Sequence, residues 1–205
     1  LKGFCPSFVS VDAQLQARTT SHKIDGLPDP KHKVSDGVSN IILTGIGGTG
    51  VLTVSAITAM AAHYEGKEST ILDMTGLAQK GGAVWSHIKI YEKNVKTFSH
   101  KIAPASANLF LACDAVVGTK PEIQEVLSDE KTYSIINSDT IPVADFVTNR
   151  DLDFKDDEVL KVIDKTTKDI DITVPAIKIA ENLCGDAIAA NIMMLGAAYQ
   201  LGHIP

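Results

Sequence analysis

Residues 41–50 read Ile-Ile-Leu-Thr-Gly-Ile-Gly-Gly-Thr-Gly, and the fold class follows from this stretch. Its first four residues form an apolar, β-branched run that is typical of a short buried strand. The glycine cluster lets the backbone turn tightly, and the alanine-rich apolar segment 51–63 then favours a helix. A second β-type run follows at Thr70-Ile71-Leu72. The order strand, glycine loop, helix, strand predicts the βαβ unit of a parallel sheet.

The remainder of the chain continues this alternation of strand and helix patterns. Further strands are predicted at 83–90, 107–113, 133–137 and 170–174. Further helices are predicted at 120–127, 158–165, 175–183 and 186–201. The alternation favours an α/β fold with a Rossmann-like, doubly wound, mainly parallel sheet. Because polar and apolar residues alternate within 85–90, we expect that strand to be exposed on one face or to lie at a sheet edge.

The N-terminal part of the chain has the composition of an arm rather than of a core. Residues 1–38 contain three of the eight prolines and the turn signals Asp25-Gly26 and Asp36-Gly37. We therefore predict an N-terminal arm or linker over 1–38 and a single domain over 39–205. The chain starts without methionine and stops directly after a helical pattern, so we expect it to be an excerpt of a longer polypeptide.

Composition excludes several classes of function. The 205 residues are 44% hydrophobic, which is enough for one sizeable core. The net charge of −6 argues against a nucleic-acid partner, because such partners need a basic surface. Only Arg18 and Arg150 are arginines, so bidentate clamps on phosphate or carboxylate are scarce.

The chain also lacks the sequence signals of membrane insertion and secretion. No apolar run reaches the roughly 18–20 residues that a membrane span needs. The nearest one, 187–201, carries Asn191 and Gln200. Neither a signal peptide nor a disulfide framework is predicted, since the three cysteines lie far apart. A reducing, cytoplasmic location is expected.

The glycine loop has the spacing of a dinucleotide-binding fingerprint. Gly45, Gly47 and Gly50 match G-x-G-x-x-G between a strand and a helix, and Asp73 follows 23 residues after Gly50. Unpaired N–H groups at the helix N-terminus attract phosphate, and an aspartate in this place accepts from a ribose hydroxyl. The predicted cofactor-binding residues of this part are Gly45, Gly47, Gly48, Thr49, Gly50 and Asp73. The same turn also occurs where strand and helix merely pack closely.

A wider set of residues resembles one family. The stretch Gly45–Val51, followed by Leu72-Asp-Met-Thr-Gly-Leu-Ala-Gln-Lys-Gly-Gly-Ala83, resembles the gamma domain of the thiamine-diphosphate-dependent 2-oxoacid:ferredoxin oxidoreductases. The fused large subunit of indolepyruvate:ferredoxin oxidoreductase is the most similar type. Lys2–Val9 looks like the end of a preceding iron–sulfur or thiamine-domain segment, and 186–197 looks like the family's C-terminal helix.

This resemblance implies a complex that decarboxylates an aryl or branched 2-oxoacid on thiamine diphosphate and Mg. The acyl group passes to coenzyme A, and iron–sulfur clusters carry the electrons to ferredoxin. Since the thiamine-binding and main cluster-binding domains are absent from these residues, the chain is expected to be one module, not catalytic alone. Expected partners are the other domains or subunits, ferredoxin and a second copy of the chain.

A second loop and one cysteine join the predicted site. Gln79, Lys80, Gly81 and Gly82 combine a flexible charge with backbone N–H groups that suit an anion. Family members often carry a basic residue before this Gly-Gly pair. Cys5, followed by proline, resembles the end of an iron–sulfur ligand run, with its partner cysteines outside this chain.

Other reactive side chains are interpreted as structural. Cys113 and Cys184 have apolar neighbours in sequence and are predicted to be core cysteines. The six histidines lack zinc-ligand spacing. His87 is interpreted as a packed or surface residue, and no nucleophile or general base is predicted.

Two alternative functions stay open at this point. A self-contained NAD- or FAD-binding oxidoreductase domain is supported by Gly45–Gly50 with Asp73, although the family resemblance makes NAD the less favoured ligand. The other alternative is a non-catalytic assembly module in which the glycines serve packing only.

Overall fold

The computed structural model describes residues 26–33, 37–76, 82–96, 99–139 and 156–205, and in this part of the chain helices cover both faces of one sheet. The strands are β1 (Val38–Ile46), β2 (Glu68–Thr75), β3 (Ala83–Tyr91), β4 (Leu109–Ala112), β5 (Tyr133–Asn137) and β6 (Asp169–Val174). The helices are α1 (Val51–Tyr64), α2 (Ala115–Gly118), α3 (Pro121–Gln124), α4 (Asp156–Thr166), α5 (Ala176–Cys184), a 3₁₀ turn (Ala187–Ala189) and α6 (Ala190–Gln200).

The strand order is β2-β3-β1-β4-β5-β6. The pairs β1–β4, β4–β5 and β5–β6 are parallel, whereas β3 runs antiparallel to both β1 and β2. The mainly parallel sheet that the sequence predicts is therefore confirmed. β1, α1 and β2 form a strand–helix–strand unit with parallel strands, but β3 lies between the two strands.

The expectation that the strand within 85–90 is exposed on one face or at an edge is wrong. β3 pairs on both sides, and Ser86, His87 and Ile88 are all buried. The polar residues alternate because they have partners inside the protein. Ser86 donates a hydrogen bond to the Asp73 carboxylate, and the His87 ring accepts one from the backbone N–H of Ile102.

Successive residues of the central strands point to opposite faces, and each face has its own core. Ile41 and Leu43 of β1 lie on the face covered by α1, α5 and α6. Ile42 lies on the face covered by α2, α3 and α4, with Phe110 and Ile136. Helices on both faces of one sheet confirm the doubly wound architecture.

The start of α2 and the end of α5 follow local capping rules, whereas one predicted helix is shorter than its sequence pattern indicates. Asp114 begins α2 by accepting from the Val117 N–H at 2.8 Å, and Gly185 ends α5 with φ 81°. The predicted helix 120–127 is regular only over Pro121–Gln124. The backbone carbonyls of Glu125 and Val126 instead accept N–H groups of residues 105–107.

The described part of the N-terminal arm, residues 26–33, contacts the C-terminal end of the domain. The Lys33 N–H donates to the Gly202 carbonyl at 2.7 Å, and Gln200 donates to the Pro28 carbonyl at 2.9 Å. The Lys33 ammonium lies 2.9 Å from the Asp171 carboxylate, which also hydrogen-bonds His203. Residues 26–33 are thus tied to the domain, whereas 1–25 and the predicted strand at 8–11 lie outside the described residues.

Two glycines give a test of the packing. A Cβ at Gly118 would overlap the fully buried ring of Phe110, whereas a Cβ at Gly196, within α6, meets nothing within 4 Å. We expect Gly118→Ala to lower the free energy of unfolding by about 1–3 kcal/mol. Gly196→Ala is expected to raise it by roughly 0.5–1 kcal/mol because alanine favours helix. Urea unfolding measures both, and equal effects of the two changes would contradict the packing described.

Candidate functional site

The predicted site lies at the edge of the sheet where β1, β4, β5 and β6 end. β2 ends and β3 begins at the same edge, since Ile46 is opposite Ala83 and Thr75 is opposite Val84. The connection after β1 passes over one face of the sheet, and the connection after β4 passes over the other. The gap between β1 and β4 is thus a topological switch point, the place where doubly wound sheets bind ligands.

The glycine loop makes the turn from β1 into α1 tight. Gly48 and Gly50 have φ of 89° and 88°, a left-handed conformation that favours glycine. A Cβ at Gly45 would overlap the Val51 side chain, so Gly45 lets α1 close onto β1. The Thr49 hydroxyl donates to the Ile46 carbonyl at 2.7 Å. These contacts place the start of α1 at the switch point.

The N-terminus of α1 is electrostatically suited to an anion. Its N-cap residue, Gly50, offers no side chain, and no acidic residue lies in the first turn. Leu52 and Thr53 are exposed there. The first backbone N–H groups of a helix lack partners within the helix, and the helix dipole adds partial positive charge. The geometry therefore matches the helix-terminus sites that bind phosphate.

The second predicted loop meets the first at this edge. The Gly47 N–H donates to the Gly82 carbonyl at 2.7 Å, which extends the β1–β3 pairing by one step beyond the strands. Gly76 and Gly82 border the segment 77–81. Of the predicted residues, Gln79, Lys80 and Gly81 lie outside the described residues, as does Cys5, and their roles stay predictions.

Asp73 occupies a different place from the acid of a dinucleotide site. It lies on edge strand β2, separated from β1 by β3, and is level with Ser86 and Leu43 rather than with the end of β1. Its carboxylate accepts from the Ser86 hydroxyl at 2.5 Å and from the Ser55 hydroxyl of α1 at 3.3 Å. Asp73 thus links β2, β3 and α1, and its ligand-binding role stays a prediction.

Sequence reasoning missed two asparagines. Asn191 of α6 is buried, and its amide donates to the Thr49 carbonyl at 2.8 Å and to the Thr49 hydroxyl at 3.2 Å. Asn137, at the end of β5, donates to the Cys113 carbonyl and accepts from the Ala176 N–H. The signal for Asn191 was its position as one of two amide side chains in an otherwise apolar helical run. Through these hydrogen bonds the two asparagines fix the positions of the glycine loop, β4, β5 and α5 relative to one another.

A cavity of about 190 Å³ lies between the glycine loop and the 3₁₀ turn. Its described lining residues carry no charge and are Gly48, Thr49, Cys113, Asn137, Ile177, Ala187, Ile188, Ala190 and Asn191. This volume is smaller than that of a typical ligand pocket. The cavity suits a small uncharged group next to the α1 N-terminus.

The two described cysteines differ sharply. Burial raises the pKa of the Cys113 thiol to about 12, with a further contribution from Asp114, so Cys113 is a neutral core thiol as expected. Cys184 is exposed at the end of α5, so its assignment as a core cysteine is wrong. It lies on the solvent side of that helix beside Leu183, which is also exposed. Within the described ranges no group of three metal-ligating side chains occurs.

His87 is a packed side chain. Burial, and then the nearby Lys101 ammonium, lower its pKa to about 4, so the ring is neutral near pH 7. Its Nδ1 lies 3.4 Å from the Ile102 N–H, away from the glycine loop. This agrees with a structural role for His87.

The fold and the switch-point site define a doubly wound α/β domain whose carboxyl edge is suited to an anion. Residues 40–205 match the sequence profile of the family described as pyruvate ferredoxin/flavodoxin oxidoreductase. The chain belongs to this family, which confirms the resemblance found in its sequence. No helix in the described part of the chain has both the length and the apolar composition to cross a bilayer.

Two curated relatives are similar over most of their length. The indolepyruvate oxidoreductase subunit IorB of Archaeoglobus fulgidus is 28% identical over 167 residues, 81% of this chain and 78% of that protein. The subunit of the same name from Thermococcus kodakarensis is 21% identical over 168 residues, 81% of this chain and 79% of that protein.

Two solved structures share the fold. Pyruvate oxidoreductase subunit PORC of Thermotoga maritima has a TM-score of 0.53 at 22% identity, covering 83% of this chain and 80% of that one. The 2-oxoglutarate:ferredoxin oxidoreductase of Magnetococcus marinus, with 2-oxoglutarate, coenzyme A and succinyl-CoA bound, has a TM-score of 0.56 at 16% identity. That match covers 80% of this chain and 24% of the larger one.

Thiol labelling tests the contrast between the two cysteines. In a Cys5→Ser background, we expect one thiol per folded chain to react with a disulfide reagent at pH 8, because Cys113 is buried and protonated. Adding Cys184→Ser should abolish this reaction, and urea should then release one thiol. Rapid labelling of Cys113 in the folded protein would contradict its burial.

Proposed function

We propose that this chain is the gamma-type module of a thiamine-diphosphate-dependent 2-oxoacid:ferredoxin oxidoreductase of the indolepyruvate type. The complex converts a 2-oxoacid to an acyl-CoA and passes the electrons to ferredoxin. Family membership and the two IorB relatives support this assignment. One observation carries the role of this chain: the uncapped N-terminus of α1 meets Gly47 and Gly82 at the switch point.

In this proposal the α1 N-terminus receives a phosphate group of coenzyme A or of thiamine diphosphate. Gly48 and Gly50 keep the approach free of side chains, and N–H groups of the first turn donate to the phosphate. Asn191 fixes the loop through Thr49, so the donors are held in place before the ligand arrives. Lys80, Gln79 and Gly81 complete the proposed anion site from the second loop.

The described residues of this chain bind and position rather than react. Cys113 is a neutral buried thiol, and His87 contacts Ile102 away from the loop. The described side chains do not fit an iron–sulfur cluster, since Cys113 and Cys184 lie on separate elements with no third ligand beside them. The clusters are therefore assigned to other parts of the complex, which also hold most of the thiamine diphosphate and Mg, and Cys5 joins a cluster only with cysteines outside this chain.

The outer surface of α1 and α6 supports a role within an assembly. Neither helix contains Asp, Glu, Lys or Arg, although 21% of the whole chain is charged. The large apolar side chains exposed on these two helices are Leu52, Ile57, Met60, Tyr64, Ile192 and Tyr199, and Ile188 of the adjoining 3₁₀ turn is also exposed. Exposed apolar patches of this kind mark protein interfaces. The proposed occupant is another polypeptide of the oxidoreductase, of complementary apolar character.

A charge placed in the first turn of α1 tests the anion site. Thr53→Asp adds a negative charge that repels a phosphate but favours the helix dipole, so the fold is not weakened. In the intact complex, assayed anaerobically by viologen reduction with indolepyruvate, we expect the KM for coenzyme A to rise about tenfold. If thiamine diphosphate is the ligand, the concentration of thiamine diphosphate needed to activate the complex should rise instead.

Thr53→Asn, whose side chain has the shape of aspartate without the charge, is the control. It should keep the KM for coenzyme A and the requirement for thiamine diphosphate within about twofold of the wild type. Equal behaviour of the aspartate and asparagine variants would remove the anion site from the proposal. A cofactor-replete complex that reduces no viologen with any 2-oxoacid would overturn the assigned reaction itself.

Hydrogen exchange tests the assembly surface. We expect segments 52–64 and 188–200 to exchange more slowly in the intact complex than in the isolated chain, because a partner excludes water from this surface. Segment 156–166, on the opposite face of the sheet, is the internal control and should not change. Protection that the isolated chain already shows, and that dilution removes, would identify a second copy as the occupant; no protection at all would leave this surface outside the interface.

A further inference from the structure

A second cavity lies at the opposite edge of the sheet from the glycine loop. It has a volume of about 540 Å³ and lies beside the start of β1, the end of β3 and the segment leading into β4. Its described lining includes Lys89, Lys96 and Lys101 and no Asp or Glu. Asn40 in its lining is five residues before Gly45 on the extended strand β1, so this cavity is about 17 Å from the glycine loop. The two places are therefore separate.

Three ammonium groups around one cavity are unusual in a chain whose net charge is −6. Like charges that face a shared space repel one another, and an anion between them removes that repulsion. The described carboxylate nearest to a cation here is Glu125, at 3.4 Å from Lys101, and both side chains are about half exposed. An exposed ion pair of this kind contributes little free energy, so the Lys101 side chain can turn toward a ligand at little cost.

The Lys89 ammonium is held in place by the protein. It donates to the Ser99 carbonyl at 2.8 Å, and burial lowers its pKa below the ordinary value. A partly desolvated ammonium is stabilised by a nearby negative charge. Lys89 thus supplies a fixed cation, whereas the exposed Lys96 and Lys101 are adjustable ones.

The cavity also has apolar walls. Asn40 lines it, and the side-chain amide nitrogen of Asn40 donates to the Ser106 carbonyl at 2.9 Å. Ile102 and Pro104 form apolar walls, and low-dielectric walls strengthen the field of the lysines inside the cavity.

We propose that the cavity between Lys89, Lys96 and Lys101 is a binding site for a small molecule that carries a phosphate group. The lysines neutralise the phosphate, and the apolar walls strengthen their field inside the cavity. The volume admits a phosphate ester of nucleotide size. This site does not depend on the proposed oxidoreductase function, because none of its residues belongs to the glycine loop.

The test is an NMR titration of the full chain with pyrophosphate at constant ionic strength. We expect saturable shifts at the amide of Ile102 and at residues near Lys96 and Lys101. The His87 ring is a second reporter. Because the Lys101 charge helps to lower the pKa of His87, a bound anion that neutralises this charge should raise that pKa.

Two matched double variants separate a site from general charge. Lys96→Gln with Lys101→Gln should weaken pyrophosphate binding at least tenfold. Lys120→Gln with Lys131→Gln removes the same charge at exposed lysines elsewhere and should leave binding unchanged. If the first pair impairs folding, Lys96→Gln alone, at an exposed residue, is expected to weaken binding about threefold.

The outcomes decide the assignment. Shifts that do not saturate, or that are equal in the wild type and both variants, mean an adventitious ion only and overturn the proposal. Saturation by inorganic phosphate as tight as by pyrophosphate identifies the phosphate group alone as the ligand chemistry. Tighter binding of pyrophosphate supports a phosphate ester. A glutamate-rich peptide that binds while pyrophosphate does not would overturn the small-molecule assignment in favour of an acidic protein partner.

Discussion

The close approach of α1 to β1 is the constraint on which the rest of this structure depends. It requires Gly45, because any side chain there would overlap Val51, and it requires left-handed backbone at Gly48 and Gly50. Once the turn is made, Val51 and Val54 pack on Ile41 and Leu43, and one core is complete. The same turn leaves the first N–H groups of α1 uncapped at the switch point. Packing and the proposed anion binding therefore depend on the same glycines.

The insertion of β3 between β1 and β2 makes the glycine-loop site different from a nicotinamide-binding site. In the dinucleotide fingerprint, the acid at the end of the second strand is close to the glycine loop. Here β3 separates the two strands, and Asp73 hydrogen-bonds Ser55 and Ser86. In place of the acid, the glycine loop is bordered by Gly82, through its bond with Gly47. The spacing between the glycine loop and Asp73 matches a dinucleotide-binding site, but the order of the strands in the sheet does not.

The two edges of the sheet differ in their electrostatics. At the carboxyl edge, backbone groups and amides from Asn137 and Asn191 surround an uncapped helix N-terminus. At the amino edge, three lysines line a cavity with no described acid in its lining. The uncharged surface of α1 and α6 connects the two edges along one face. A protein that is acidic overall thus has local environments suited to anions and to apolar partners.

The sequence by itself determined the alternation of strands and helices, the tight turn at Gly45–Gly50, the core position of Cys113 and the family, because these depend on local pattern and composition. Only the tertiary structure decided that β3 is an interior strand, that α3 ends at Gln124 and that Cys184 is exposed. It also decided that Asn191 contacts Thr49, 142 residues earlier in the chain. The physical reason is that strand order and buried polar partners are set by contacts between distant segments, whose free energies no local pattern contains.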